Sequence, residues 1–192
     1  MNRQRLFRCI RWRAVAIAVL AIALLGLSFG STPAWASLTD DRFDGNIFAL
    51  YAGNGSLVPP KVGLAASFKA HKPALVMFYL EDSSDCKQFS ATFSQLQAGY
   101  GRAANLIPIN VDSLAFDSPT DSPTDLHRYY HGPVPQLVIF DQDAEVVFDE
   151  VGQIPYETID DRLREVFDLL PREESVELKR RLVNEVNVEL AQ

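Results

Sequence analysis

The clearest hydrophobic pattern lies in the middle of the chain, where an apolar run leads into an amphipathic segment. Residues 73–80 (PALVMFYL) are continuously apolar, which is typical of a strand buried on both faces of a sheet. Polar residues that favour helix N-caps follow at 82–84 (DSS). Apolar side chains then recur at helical spacing, at Cys86, Phe89, Phe93, Leu96 and Tyr100. The pattern predicts a strand, a turn and a helix, which glycines 99 and 101 bring to an end.

Later segments complete a predicted sheet. Residues 105–112 (NLIPINVD) form a second strand with the same direction, and residues 136–140 and 145–151 form a hairpin. A short helix is predicted near 126–130. A longer helix ends at Pro171 and has one apolar face, made by Ile159, Leu163, Phe167 and Leu170. This order predicts an α/β fold in which helices flank a mixed sheet.

Segments at both ends lie outside this core. Residues 40–60 are rich in apolar side chains, and they form either an extra element packed on the core or a surface that faces a partner. An apolar stripe after Pro171 predicts a C-terminal helix that either folds back or docks into a groove on another protein. The stripe consists of Leu178, Leu182, Val186 and Leu190. The repeated Asp-Ser-Pro-Thr of 117–125 predicts an exposed loop.

The first 36 residues have the pattern of a secretory signal. Five arginines precede an apolar run at 14–27, and Ala34-Trp35-Ala36 fits a cleavage site before Ser37. The run is short for a membrane span, which takes about 20 residues. Cleavage is therefore the favoured prediction, and a retained membrane anchor is the alternative.

Removing this segment changes the charge and the thiol count. The chain has 18 basic and 25 acidic residues, and the segment holds five arginines and no acid, so the remainder has a net charge of −12. Such a charge disfavours nucleic acid and anionic membrane surfaces as partners. Cys9 leaves with the segment, so Cys86 is the only thiol left and no intrachain disulfide can form.

The strand, turn and helix of 75–87 (LVMFYLEDSSDCK) resemble the thioredoxin family, whose pattern is strand, W-C-x-x-C-K, helix. Val134-Pro135-Gln136 opens a strand where that family has its cis-proline loop. The resemblance covers about residues 60–170. It implies a thioredoxin-like fold with an N-terminal extension and an extra C-terminal helix, and a cis peptide bond before Pro135.

The residues at the family's reactive positions are changed. Ser83 stands where the family has its attacking cysteine, and Cys86 stands at the resolving position. Asp82 replaces the tryptophan, and Met77 replaces a buried carboxylate that moves the resolving thiol's proton. A serine hydroxyl without a base does not attack a disulfide at useful rates, so dithiol exchange is not expected.

Two further interpretations stay open at single residues. Cys86 either packs as a small apolar side chain or acts as a reactive thiol, since the helix start and Lys87 lower its pKa whereas Asp82 and Asp85 raise it. His127 and His131 lie four residues apart and offer two zinc ligands, but no third ligand is evident. We therefore expect neither a metal site nor a cofactor.

A second resemblance covers nearly the whole remaining chain. Residues 42–60 together with 82–89 are similar to cyanobacterial thioredoxin-like proteins described as thylakoid photosystem I accessory factors. This implies export to the thylakoid lumen or the lumenal membrane face, with the periplasm as the alternative. The predicted boundaries are 1–36 for the signal peptide, 37–60 for the extension, 61–171 for the thioredoxin-like domain and 172–192 for the C-terminal helix.

The predicted function is that of an exported, non-catalytic accessory protein that binds a thylakoid membrane complex. The second resemblance implies a role in photosystem I assembly or stability, and peripheral contact with the membrane is compatible with that role. The alternative is a single-cysteine redox enzyme or sensor that acts through Cys86. The predicted binding residues are Ser83, Cys86, Val134, Pro135, Phe43, Phe48 and Tyr51. Residues 40–56 are expected to be removable without loss of the fold.

Overall fold

The computed structural model describes residues 37–114 and 121–175, together with Ile17, Val19 and Leu20. The chain divides into two compact units, Met1–Ala36 and Ser37–Gln192. In the first unit, the three described residues are helical and exposed. The predicted cleavage motif, the first copy of the Asp-Ser-Pro-Thr repeat and the predicted C-terminal stripe lie outside the described residues.

The second unit is built on a four-stranded sheet. Its strands are β1 (Ala74–Tyr79), β2 (Asn105–Asn110), β3 (Gln136–Phe140) and β4 (Val146–Val151). Their order across the sheet is β2-β1-β3-β4. β1 pairs with β2 in parallel and with β3 in antiparallel direction, and β3 pairs with β4 in antiparallel direction. The predicted mixed sheet is therefore confirmed.

β1 is an inner strand of the sheet, and hydrophobic clusters cover both of its faces. Successive side chains of a strand point to opposite faces, so an entirely apolar strand needs two packing partners. Leu75, Met77 and Tyr79 join one hydrophobic cluster. The alternate residues Ala74, Val76 and Phe78 join a second cluster, on the other side of the sheet.

The helices α1 (Ile47–Leu50), α2 (Leu64–Lys69), α3 (Ser84–Tyr100) and α4 (Tyr156–Val166) flank this sheet. α3 buries the predicted stripe, from Cys86 to Tyr100, against the first cluster. It ends at Gly101, where a Cβ would lie 2.6 Å from the carbonyl oxygen of Gln97. Short 3₁₀ turns lie at Gly55–Leu57, Val111–Ser113, Leu126–Arg128 and Arg172–Glu174.

The N-terminal extension is part of the hydrophobic core. Ile47 and Phe48 of α1 are completely buried. The Phe48 ring packs edge-on against Tyr79, with 5.1 Å between the ring centroids, and lies 5.9 Å from that of Phe93. The expectation that residues 40–56 can be removed without loss of the fold is therefore wrong, because their removal would open the core between the sheet and α3.

The helix that was predicted to end at Pro171 ends earlier in the structure. α4 ends at Val166, and Asp168 has a positive φ of 51°, which stops the helix. Leu170 is consequently 61% exposed, whereas Ile159 and Leu163 are buried as predicted. Phe167 still packs on the core, where its ring stacks on Tyr100.

A buried ionic network ties α4 to α3. Asp160 of α4 accepts hydrogen bonds from the Tyr100 hydroxyl of α3 and, at 2.8 Å, from Arg164 Nε. Arg172 Nη2 lies 3.3 Å from the same carboxylate. Burial raises the pKa of Asp160, but the hydrogen bonds from Arg164 and Tyr100 outweigh it and the net shift is downward. The network fixes the chain beyond α4 onto the domain.

Replacing Phe48 by alanine tests whether the extension belongs to the core. We expect Phe48→Ala to lower the free energy of unfolding by about 3–5 kcal/mol, because it leaves a cavity between Tyr79 and Phe93. Leu50→Ala is the matched control in the same helix, and since Leu50 is 50% exposed, it should cost less than about 1 kcal/mol. Urea denaturation measures both values, and equal small losses would contradict the assignment.

Candidate functional site

The turn between β1 and α3 is built around a serine cap. Ser83 is the N-cap of α3, and its hydroxyl accepts a hydrogen bond of 3.3 Å from the Cys86 N–H. The next amide, Ser84 N–H, donates to Asp41 Oδ1 at 2.8 Å. The first donors of the helix, which are otherwise unpaired, are therefore held partly by the turn itself and partly by residues before α1.

Cys86 is enclosed by the core. Its side chain has no accessible surface, and its sulfur accepts a weak hydrogen bond from the Leu80 N–H at 3.5 Å. Burial raises the pKa of the thiol, and this effect outweighs the opposing hydrogen bonds from Ser83 and Leu80. Asp85 and Asp82 raise the pKa further. A protonated and inaccessible thiol is a poor nucleophile, so the site favours the packing role for Cys86.

Lys87, the residue after Cys86, has a completely buried side chain. Its ammonium donates to the carbonyl oxygens of Arg42 at 2.6 Å and Asp40 at 2.9 Å, and to Asp44 Oδ2 at 2.8 Å. The Ser37 carbonyl oxygen at 3.2 Å and Asp40 Oδ1 at 3.4 Å complete its surroundings. These residues, which we call the Lys87 cluster, satisfy the ammonium without water.

The charges of the Lys87 cluster support one another. Burial alone lowers the pKa of Lys87, but hydrogen bonds to Asp44 and Asp40 outweigh it, so the net shift is upward. Hydrogen bonds from Lys87 and then from the Tyr51 hydroxyl lower the pKa of Asp44 to about 2. Tyr51 donates to Asp44 Oδ2 at 2.6 Å, and its ring lies 5.5 Å from the Lys87 ammonium. A buried charge is tolerated only when it is paired in this way.

The N-terminal segment, residues 37–46, consequently lies along the turn where the thioredoxin family performs its chemistry. Lys87 holds its carbonyl groups, Asp41 binds the helix start, and Asn46 Nδ2 donates to Glu81 Oε1 at 3.3 Å. Sequence reasoning missed the role of Lys87. The signals that were available are the three acids among residues 40–44 and the lysine at the family's C-K position, more than 40 residues later.

The predicted binding residues separate into exposed and buried sets. Phe43 is 68% exposed, and Ser83, Val134 and Tyr51 are half-buried. Phe48 and Cys86 have no accessible surface, so neither can contact a partner in this conformation, and Pro135 is also buried. Phe48 and Cys86 are therefore removed from the predicted binding residues, because their side chains fill the space between α3 and the sheet.

The loop before β3 lies beside the same turn. The Val134–Pro135 peptide bond is cis, the isomer implied by the thioredoxin resemblance. Pro135 O accepts from Gly152 N–H at 2.7 Å, and the next residue, Gln153, donates to the Asp85 carbonyl oxygen at 2.9 Å. Among residues 37–114 and 121–175, no hydrogen bond reaches the main chain of Val134. The structure therefore brings Ser83 and Val134 to one end of the sheet.

The two histidines each pair with an aspartate. His127 Nδ1 lies 2.7 Å from Asp125, and His131 Nε2 lies 2.7 Å from Asp149. Asp149 also accepts from the buried Gln136, which sequence reasoning did not single out. Within the part of the chain that the structure describes, no group of three or more His, Cys, Asp or Glu side chains is arranged to hold a metal ion.

The accessibility of Cys86 can be measured directly. In the folded protein, we expect a thiol reagent to modify Cys86 at least about 100-fold more slowly than in the unfolded chain, because the sulfur is buried and protonated. The protein should also fail to reduce insulin disulfides. Rapid labelling under native conditions would instead support the single-cysteine redox alternative.

Replacing Lys87 tests the cluster. Lys87→Met keeps an unbranched side chain that ends where the ammonium begins, and it leaves carbonyl oxygens and Asp44 without their cation, so we expect a loss of about 3 kcal/mol or more in the free energy of unfolding. Lys69→Met, at an exposed lysine of α2, should change little. Chemical denaturation at pH 7 provides the comparison, and equal effects of the two substitutions would refute the role of Lys87.

The pairing of Asp44 predicts that the protein loses stability at acidic pH. The pKa of Asp44 is lower in the folded protein than in the unfolded chain, so its contribution is complete above about pH 4 and is lost as the pH falls through about 2. Asp44→Asn should therefore flatten the acid limb of the stability curve between pH 4 and 2. An unchanged acid limb in this variant would show that the carboxylate is not paired.

Comparison with known proteins identifies a family and a relative of this chain. A family model described as a thioredoxin-like domain matches residues 62–167, more than half of the chain. The chain is 47% identical over 193 residues to thylakoid membrane protein slr1796 of Synechocystis sp. (strain ATCC 27184 / PCC 6803 / Kazusa), covering 96% of this chain and 94% of that protein. It also matches the crystal structure of the thioredoxin Deadhead from Drosophila melanogaster, with 20% identity and a TM-score of 0.40, over 50% of this chain and 85% of that one.

The fold and the family match therefore lead to the same conclusion. The sheet order, the turn before α3 and the loop before β3 occupy the matched region. Cys86 is the only cysteine of the described residues, so the two-cysteine motif is absent from them. This chain belongs to the thioredoxin-like family.

Proposed function

We propose that the protein is a non-catalytic, thioredoxin-like accessory factor that binds a thylakoid membrane complex and acts in photosystem I assembly or stability. The observation that carries the proposal is the state of the former reactive turn. Ser83 serves as a helix cap, Cys86 is buried, and the N-terminal segment lies along the turn. The fold is kept, while the groups needed for dithiol exchange are replaced.

The loss of chemistry leaves a surface that suits an extended peptide. The main chain of Val134 offers an N–H and a carbonyl that make no hydrogen bond within the described residues. An extended segment can pair with such groups as an added strand. Ser83, which is half-buried, lies at the same end of the sheet, and Phe43 is exposed on the N-terminal segment that lies along the turn. We propose Ser83, Val134 and Phe43 as the contact residues.

Charge indicates the kind of partner. Asp82 and Asp85 are exposed at the turn, and Glu81 lies beside them. An acidic rim raises the rate of association with a basic segment and makes binding dependent on salt. We therefore propose that the partner presents a basic, extended segment at the lumenal face of the membrane.

The relative from Synechocystis supports the proposed location at the thylakoid membrane in part. It is named as a thylakoid membrane protein, and this chain covers nearly all of it. Among the described residues, no helix has the length and apolar character that a membrane crossing needs. Export to the lumen, with removal of residues 1–36, remains our proposal, and it rests on the arginine-rich start and the Ala34-Trp35-Ala36 motif.

Charge reversal at the turn tests the proposed surface. The double variant Asp82→Lys/Asp85→Lys should reduce co-purification with photosystem I from native membranes by about tenfold at low salt, because it reverses the rim that attracts the partner. Asp143→Lys/Glu145→Lys is the matched control, since both residues are exposed on the β3–β4 turn at the opposite end of the sheet. It should co-purify as the wild type does.

Phe43→Ala separates a binding role from a folding role. Because Phe43 is 68% exposed, we expect unchanged stability and reduced co-purification. If the wild type, the Asp82→Lys/Asp85→Lys variant and the Phe43→Ala variant all co-purify equally with photosystem I, the proposed surface is wrong. Crosslinking from position 43 to a complex other than photosystem I would refute the assigned partner while keeping the surface.

A further inference from the structure

Ser37, the residue after the predicted cleavage site, is bound to the Lys87 cluster through its main chain. Its carbonyl oxygen lies 3.2 Å from the Lys87 ammonium and 3.1 Å from the Tyr51 hydroxyl oxygen, whose proton is donated to Asp44. Its nitrogen donates to Asp44 Oδ2 at 3.4 Å. Both main-chain polar groups of Ser37 thus face the side chains of the cluster that also holds α3.

The predicted cut would change the chemistry of that nitrogen. Hydrolysis of the Ala36–Ser37 bond adds one water, which leaves a carboxylate on Ala36 and an amine on Ser37 that takes up a proton. An α-amino group has an ordinary pKa of about 7.7–8.0, so it is charged at neutral pH. The boundary between the two compact units lies at the same bond. The neutral donor that faces Asp44 would therefore become an ammonium.

The surrounding charges favour an additional cation. Asp40, Asp41 and Asp44 lie beside two cations, Lys87 and Arg42. This group therefore carries one uncompensated negative charge before processing. The Ser37 ammonium would neutralise it, and a charge-assisted hydrogen bond is stronger than one from a neutral amide.

We propose that Asp44 is a binding site for the α-ammonium of the processed chain. Removal of residues 1–36 then strengthens the attachment of the N-terminal segment to the start of α3. The proposal rests on cleavage before Ser37 and is independent of the partner. It gives the N-terminus of the processed protein a structural role that the precursor does not have.

The test compares two forms of residues 37–192, which make up one compact unit. One form has a free Ser37 amine and the other has an acetylated amine that mimics the precursor's amide. At pH 6.5, the free form should have an unfolding equilibrium constant about two- to fivefold smaller. Because Asp44 raises the amine's pKa in the folded state, this gap is complete below the unfolded value and should vanish as the pH rises to 9.5.

The other titratable groups in the Lys87 cluster, and Asp41 and Tyr51 beside it, do not titrate in this range. Asp40, Asp41 and Asp44 have lowered pKa values, and those of Lys87, Arg42 and Tyr51 are raised. Groups outside the cluster are the same in both forms, so their contributions to the pH dependence of stability cancel in the comparison. Equal stability of the two forms at pH 6.5, or greater stability of the acetylated form, would overturn the proposal.

Nuclear magnetic resonance gives a second readout that does not depend on a variant. The Ser37 amine of the folded wild type should titrate above about 8, and a value within or below the ordinary range would overturn the proposal. Where Asp44→Asn folds, it should return the titration to that range, whereas Asp143→Asn should not. N-terminal sequencing of the native protein must find Ser37, and any other start contradicts the proposal.

Discussion

The burial of one positive charge is the constraint on which the rest of this structure depends. Lys87 follows the core cysteine at the start of α3, and its ammonium has no access to water. An unpaired charge at such a place costs several kcal/mol, so the chain must bring oxygen atoms to it. The N-terminal segment supplies carbonyl groups and Asp44, and α1 follows this segment directly into the core. One charge therefore explains why the extension is part of the domain.

This arrangement also explains how a thioredoxin-like fold keeps its shape although the residues at the family's reactive positions are replaced. The helix start that activates a cysteine in a redox enzyme here binds Asp41 and the serine cap. The sulfur of Cys86 is covered by core side chains, and the neighbouring Met77 offers no proton. The acidic rim of the turn is exposed, and the main chain of the half-buried Val134 makes no hydrogen bond among residues 37–114 and 121–175. A surface of this kind suits the extended partner segment that we propose.

The sequence predicted the fold well because its strongest signals are periodic. The apolar run of β1, the spacing of α3 and the hairpin of β3 and β4 appear where the pattern placed them. The errors occur where a local pattern does not decide the structure. Leu170 continues the apolar spacing of α4, yet Asp168 ends the helix before it. Phe48 and Phe43 are equally apolar, and only the packing of α1 determines that one is buried and the other exposed. Lys87 was missed because its partners lie more than 40 residues away in the sequence.

Native-state hydrogen exchange tests most directly whether the N-terminal extension and the domain are one cooperative unit. The amides of Ala49 and Tyr51, bonded to Asn46 and Ile47, report on the extension, and those of β1 report on the core. If the Lys87 cluster holds the two together, the amides of both regions should exchange with the same free energy of opening and the same dependence on denaturant. Exchange of Ala49 and Tyr51 through a local opening of much lower free energy, with β1 still protected, would contradict the account.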